Sequence, residues 1–195
     1  MADAKKEEPT KPTPEEKLAA AEAEVDALVK KGLKALDDFE KLDQKQVDRI
    51  VAKASVAALN KHLVLAKMAV EETGRGLVED KATKNIFACE HVTNYLAGQK
   101  TVGIIREDDV MGIDEIAEPV GVVAGVTPVT NNLHRHLQVA DRAEDPLPDH
   151  LRFHPGAQKC SVEAAKIVRD AAIAAGAPEN CIQWIEHPSI EATGA

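Results

Sequence analysis

The chain has 195 residues, of which 44% are hydrophobic, an ordinary content for a globular protein that buries a sizeable core. Asp and Glu outnumber Lys and Arg by 33 to 24, and no basic run interleaved with aromatic residues occurs, so a nucleic-acid partner is not expected. The N-terminus lacks an apolar signal core, and the longest uncharged apolar run, residues 120–129, is far shorter than a membrane span. These features predict a cytoplasmic protein without a membrane partner.

The three cysteines, Cys89, Cys160 and Cys181, are odd in number and show no Cys-x-x-Cys spacing. This argues against a disulfide framework or a zinc ribbon, and reduced thiols fit the cytoplasm. Their apolar or helix-start contexts are typical of buried, structural cysteines.

Helix signals begin soon after the N-terminus. Residues 1–12 are rich in Lys, Glu and Pro with few apolar side chains, which predicts a disordered tail. Thr13, followed by a proline and two glutamates, predicts a helix N-cap. Apolar residues then recur at spacings of three and four, and Gly32 predicts a break into two helical pieces.

Two further helical segments complete the first half of the chain. Asp43 is expected to cap a long helix that Gly74 stops, and a second segment begins near Asp80 and ends at Gly98. Residues 13–98 are therefore predicted to form a mainly helical layer.

The pattern changes to short β-branched runs beyond residue 100. Residues 101–105 and 115–128 predict strands, separated by Gly and Pro. Ser161 is expected to cap a helix closed by Gly176, and residues 181–185 predict a short buried strand. The fold class is therefore α/β, an N-terminal helical layer followed by an incomplete α/β domain over residues 100–195.

The stretch AEPVGVVAGVTPVTN, residues 117–131, resembles the start of the nucleotide-binding domain of the aldehyde dehydrogenase superfamily. Neighbouring stretches such as EETGRGLVEDKATKN and FHPGAQ resemble its CoA-acylating branch, the N-terminal part of bifunctional aldehyde-alcohol dehydrogenases. The resemblance covers nearly the whole chain. It implies an incomplete Rossmann-like domain of the aldehyde dehydrogenase fold over residues 13–195.

The resemblance also implies a function. Enzymes of this branch interconvert acetyl-CoA and acetaldehyde in fermentative ethanol formation, using NAD and a cysteine thioester, and full-length members form homo-oligomers. In the family the nucleophilic cysteine lies well downstream of the matched region, and Cys89, Cys160 and Cys181 do not match it. We therefore expect a truncated piece of a longer oxidoreductase that is inactive alone. The alternative is a non-catalytic helical module for oligomerisation.

Two short segments are candidates for contact with the cofactor. An extended backbone that ends in a tight turn can approach a dinucleotide closely, which favours a cofactor wall formed by Val126, Thr127, Pro128, Val129, Thr130 and Asn131. By resemblance, the Asn131 amide donates to the developing oxyanion, whereas a turn-forming Asn is the alternative. Likewise His154, Pro155 and Gly156 are where relatives contact the adenosine part, and a solvent-facing loop is the alternative.

Residues 132–152 depart from the family pattern. Relatives continue with a pattern close to NPTSTAIFKSLIALKTRCPIIFGFHP. When TSTAIFKSLI is written in GC-rich codons and translated from the third base, the product is LHRHLQVAD. This is the sequence of residues 133–141 here. A local frameshift is therefore the preferred explanation. A metal site formed by His134, His136, His150 and His154 is the competing hypothesis.

The same segment is expected to be an irregular surface loop. Charged residues recur throughout it, and Pro146 and Pro148 remove backbone donors, so neither strand nor helix periodicity leaves a continuous apolar face. The family's helix and buried strand beside the cofactor wall are lost in this reading. We therefore expect NAD to bind with a dissociation constant above the submicromolar range.

Overall fold

A computed structural model describes residues 13–119, 121–130 and 149–189. It contains a helical N-terminal half and two small sheets, which confirms the α/β class. The predicted tail at residues 1–12 lies outside the described residues. In the described part of the chain, no helix is long and apolar enough to cross a membrane.

The first helix begins where the sequence predicts. α1 runs over Pro14–Phe39, the Thr13 hydroxyl accepts the Glu16 N–H at 3.2 Å, and the Glu16 carboxylate accepts the Thr13 N–H at 2.8 Å. The predicted break at Gly32 is wrong, because Gly32 is buried inside a continuous helix. A single glycine costs about 1 kcal/mol in a helix, which the apolar face continuing on both sides outweighs.

The second segment is two helices rather than one. α2 spans Gln44–Leu59 with Asp43 as its N-cap, as predicted, and α3 spans His62–Thr73. The expected single helix is wrong because Asn60 and Lys61 form a turn, in which Lys61 has a non-helical ψ of 5°. Gly74 closes α3 in the left-handed conformation, φ 63°, which confirms the predicted stop.

A third helical segment completes the layer. α4 spans Val78–Ile86, widens into a π-helical turn over Phe87–Val92 and continues as α5, Thr93–Leu96. It begins two residues before the expected Asp80. Within the π turn, the Cys89 carbonyl accepts a hydrogen bond from the Ser55 hydroxyl of α2. Residues 13–98 are thus mainly helical, as predicted.

A separate hairpin follows the helices. β1, Gly103–Asp108, pairs antiparallel with β2, Ile113–Ala117. Gln44 holds the chain before β1, because its side-chain oxygen accepts the N–H groups of Thr101 at 2.7 Å and Val102 at 3.0 Å. The first predicted strand therefore begins two residues late and joins its own two-stranded sheet.

The second sheet is parallel and contains the remaining strands. β3 spans Val123–Thr127, β4 spans Asp149–Phe153 and β5 spans Ile182–Trp184, in the order β3-β4-β5. α6, Gln158–Ala175, connects β4 to β5 and ends at Gly176, as predicted. The expected Ser161 cap is wrong, because α6 begins three residues earlier and Ser161 is buried within it.

The predicted loop at residues 132–152 is wrong at its C-terminal end. Residues 149–152 belong to β4, the central strand, which pairs with both neighbours. Apolar residues alternate there, so Leu151 and Phe153 are fully buried, while Arg152 on the opposite face donates from Nη2 to the Ser189 carbonyl at 3.3 Å. The Arg152 guanidinium thus lies outside the core cluster that holds Leu151 and Phe153, although its Nε atom is buried without a hydrogen-bond partner among the described residues. Residues 131–148 lie outside the described residues, so the frameshift itself stays a prediction.

The main core joins the two halves of the chain. β4 contributes Leu151 and Phe153, and α6 and α2 contribute small residues that bring the two helices close together, namely Ala54, Ala58, Ala164 and Ala165. The helical layer therefore packs directly on α6 and the parallel sheet. This packing fixes α3 and α6 relative to the ends of the strands.

Candidate functional site

The ends of the three parallel strands lie along one edge of the sheet. β3 leads into residues 128–130, β4 into residues 154–156 and β5 into residues 185–189. In open α/β sheets, ligands bind at this carboxyl edge. The edge therefore collects the sequence-predicted residues Val126 to Thr130 and His154 to Gly156, whereas Asn131 lies outside the described residues.

The segment that follows β5, residues 185–189, was not predicted from the sequence to be part of the site. Residues 181–185 predicted a strand, and the following Glu-His-Pro resembles the His-Pro that follows β4, which is the signal that could have identified it. Glu24 of α1 accepts the Glu186 N–H at 2.8 Å, and the Gln158 side-chain amide donates to the Glu186 carbonyl at 2.7 Å. Both helices thus hold this third exit in place.

The exit from β3 presents backbone rather than side chains. Thr127 is buried, and its hydroxyl donates to the Arg152 carbonyl at 3.1 Å. Pro128 and Thr130 are exposed, and Val129 packs against Ala157 and its neighbours. The arrangement has the extended backbone and turn expected of a cofactor wall.

The exit from β4 is a short 3₁₀ turn, Pro155–Ala157, capped by His154. The Nδ1 atom of His154 accepts the Gly156 N–H at 3.0 Å, which requires that this nitrogen carry no proton. His154, Pro155 and Gly156 are all exposed, so the turn is open to a ligand as well as to solvent.

The N-terminus of α6 is occupied by a carboxylate from the helical layer. The two oxygens of Glu72 in α3 accept the N–H groups of Lys159 and Cys160, each at 2.8 Å. Partial burial raises the pKa of Glu72, but the two N–H groups, the Cys160 thiol and the Lys159 charge together stabilise the carboxylate more strongly, so its pKa lies below the ordinary value of 4.5. The charge also complements the helix dipole.

The pKa of Glu72 gives a pH prediction. Because the folded pKa is lowered, the carboxylate stabilises the fold above its ordinary pKa, and this contribution is lost as pH falls through the folded pKa. Glu72→Gln should lower the free energy of unfolding by about 1 kcal/mol near neutral pH and much less in acid. Urea unfolding of both proteins over a pH series measures this. Equal losses at every pH would contradict the prediction.

No family model matches the chain. Aldehyde-alcohol dehydrogenase 2 of Entamoeba histolytica is 58% identical over 174 residues, and the aldehyde-alcohol dehydrogenase of Streptococcus pneumoniae is 60% identical over 186 residues. The chain is a homologue of the aldehyde-alcohol dehydrogenases. The matches cover 87% and 94% of this chain but only 20% and 21% of those relatives.

Solved aldehyde dehydrogenases share the fold. An acetylating aldehyde dehydrogenase from Geobacillus thermoglucosidasius superposes with a TM-score of 0.84 at 41% identity, covering 90% of this chain and 39% of that one. An engineered glycolyl-CoA reductase with bound NADP+ matches with a TM-score of 0.68 at 28% identity, covering 87% and 38%. A Rhodopseudomonas palustris propionaldehyde dehydrogenase with bound CoA and an acylated cysteine matches at 0.67 and 27%, with the same coverage. The expected aldehyde dehydrogenase fold is confirmed.

The three cysteines of this aldehyde-alcohol dehydrogenase homologue are buried. Cys89, Cys160 and Cys181 form no disulfide with one another and have exposures of 3% or less, which confirms that they are buried. Cys160 donates from Sγ to the Ala157 carbonyl at 3.3 Å, inside the first turn of α6. None of them presents a thiolate at the carboxyl edge.

The competing hypothesis was a metal site formed by histidines. Among the described residues, no group of three or more His, Cys, Asp or Glu side chains is placed to hold a metal ion. His154 instead accepts a backbone N–H with its Nδ1. The side chains of His134, His136 and His150 lie outside the described residues.

Proposed function

We propose that this chain supplies the NAD-binding part of a CoA-acylating aldehyde dehydrogenase that interconverts acetyl-CoA and acetaldehyde. The observation that carries the proposal is the convergence of residues 126–130, 154–156 and 185–189 at the carboxyl edge of one parallel sheet. The identity of 58–60% with aldehyde-alcohol dehydrogenases supports the reaction. A reducing cytoplasm suits three cysteines that form no disulfide with one another.

The roles of the residues are those that the resemblance to the family implies. The backbone after β3 forms the wall against the cofactor, and Asn131 donates its amide to the oxyanion of the thioester-like intermediate. The turn at His154, Pro155 and Gly156 receives the adenosine part. The cysteine thiolate that attacks the acyl carbon comes from outside this sequence, since its own three thiols are buried. The isolated chain is therefore expected to be inactive with acetyl-CoA and NADH.

Binding of the reduced cofactor should be visible from Trp184, the single tryptophan of the sequence. Trp184 ends β5, so NADH bound at the carboxyl edge accepts its excitation energy. We expect saturable quenching of Trp184 fluorescence with sensitised NADH emission, at an affinity weaker than micromolar. Quenching that stays linear in NADH up to millimolar concentrations would show that no site is present.

A second candidate function is assembly, favoured by exposed apolar side chains on the helices. Val56, Leu63 and Val64 are 44–55% exposed on α2 and α3, and Val110 and Met111 are 68% or more exposed at the hairpin turn. Such side chains favour contact with another chain, including a second copy.

Light scattering tests assembly. We expect a mass that is a multiple of 20.9 kDa, and Val64→Ser should lower it if the helices form the interface. Val110→Ser is the matched variant on the hairpin. A monomer at every concentration would remove this candidate and leave cofactor binding as the function.

A further inference from the structure

The carboxyl end of β4 carries no acidic side chain. β4 is the second of three parallel strands in the order β3-β4-β5, which is the arrangement of one half of a doubly wound dinucleotide-binding sheet. In such sheets an Asp or Glu about 20 residues beyond the first strand-to-helix turn accepts a hydrogen bond from the adenosine ribose 2′-hydroxyl. Here the residues after β4 are His-Pro-Gly-Ala-Gln, residues 154–158.

The Glu72 carboxylate of α3 lies at the turn that follows β4. α3 packs on the turn after β4, where Ala69 and Ala157 lie in one apolar cluster. Three residues after Ala69, Glu72 accepts the N–H groups of Lys159 and Cys160, each at 2.8 Å. Each carboxylate oxygen has further lone pairs, so Glu72 can accept another donor from a ligand on the turn.

We propose that Glu72 selects NAD over NADP, an inference that rests on the proposed function and deepens it. A ribose 2′-hydroxyl can donate to the carboxylate. A 2′-phosphate brings negative charge close to this carboxylate, and the N–H groups of Lys159 and Cys160, which could otherwise bind a phosphate at the helix N-terminus, already donate to Glu72.

Two cations near β4 also affect the charge that a bound 2′-phosphate would meet. Lys159 is exposed, and its side chain extends from the same helix turn that Glu72 caps, so it attracts a phosphate and opposes Glu72. Arg152 lies on the sheet face opposite Leu151 and Phe153 and donates to the Ser189 carbonyl at 3.3 Å. Glu72 is the charge that two backbone hydrogen bonds hold in place at this position.

The test is the ratio of the dissociation constants for NADP and NAD, measured by amide NMR titration of the full chain. We expect the wild-type chain to favour NAD, and Glu72→Gln to reduce the ratio about tenfold by tightening NADP binding and weakening NAD binding. Glu71→Gln, at an exposed position on the same helix, should leave the ratio unchanged. Lys159→Gln should raise it.

The outcomes separate a failure of the Glu72 inference from a failure of the proposed function. A Glu72→Gln chain that binds both dinucleotides with the wild-type ratio overturns the inference while leaving the proposed function standing. Absence of binding of either dinucleotide to the wild-type chain removes the proposed function and this inference with it. If Glu72→Gln does not fold by circular dichroism, the wild-type ratio is measured over a salt series. A ratio that falls as salt rises supports charge selection, and a constant ratio overturns it.

Discussion

Replacing Phe153 with alanine is expected to lower the free energy of unfolding by about 3–5 kcal/mol. Phe153 is fully buried at the end of the central strand β4 and lies in the core cluster with residues of α2 and α6. Its removal leaves a cavity that strands paired on both sides of β4 cannot collapse to fill. Urea unfolding at constant pH measures the loss.

The matched control is Val126→Ala on the adjacent strand, where the side chain is 53% exposed. It should cost less than about 1 kcal/mol. Equal, small losses for both variants would mean that the segment ending at Phe153 lies outside the core, as the charge pattern of residues 132–152 had predicted.

The second large effect is expected at the contact between α2 and α6. Ala54 and Ala58 of α2 and Ala164 and Ala165 of α6 are at most 1% exposed and share the main core. Small side chains let two helices approach closely, so Ala165→Leu adds volume that the packed core cannot accept. We expect a loss of about 1–3 kcal/mol in the free energy of unfolding.

Ala174→Leu is the control for this variant, because Ala174 is exposed on the same helix. It should change stability by less than about 0.5 kcal/mol. If Ala165→Leu were as harmless as Ala174→Leu, α6 would not be packed in the core as described.

The fold was predictable where local signals decide it. Thr13 and Asp43 start helices because their side chains cap free N–H groups, and Gly74 and Gly176 end helices because they adopt the left-handed conformation. The errors came where tertiary contacts override local signals. Gly32 stays helical in a buried face, and Ser161 is buried in a helix whose N-terminus is capped by Glu72, 87 residues away from Lys159 in sequence.

The candidate site was half predictable. Residues 126–130 and 154–156 were predicted as site residues because each follows an apolar extended run and a family resemblance points to them, and the structure places them at one edge of the sheet. The contributions of Glu24 and Glu72 could not be found, because nothing in the sequence of a helix tells which distant backbone N–H its carboxylate accepts. The strand at residues 149–152 was missed because the charges of a central strand were assumed to be buried, whereas Arg152 faces away from the main core.

Amide NMR with NAD tests most directly whether the carboxyl edge of β3, β4 and β5 is the cofactor site. We expect titration with NAD to shift the amide signals of the non-proline residues within 127–130, 154–160 and 185–189. Signals of the β1–β2 hairpin, residues 103–117, should stay in place. Shifts confined to other elements, or no shifts at millimolar NAD from a chain that circular dichroism shows to be folded, would contradict it.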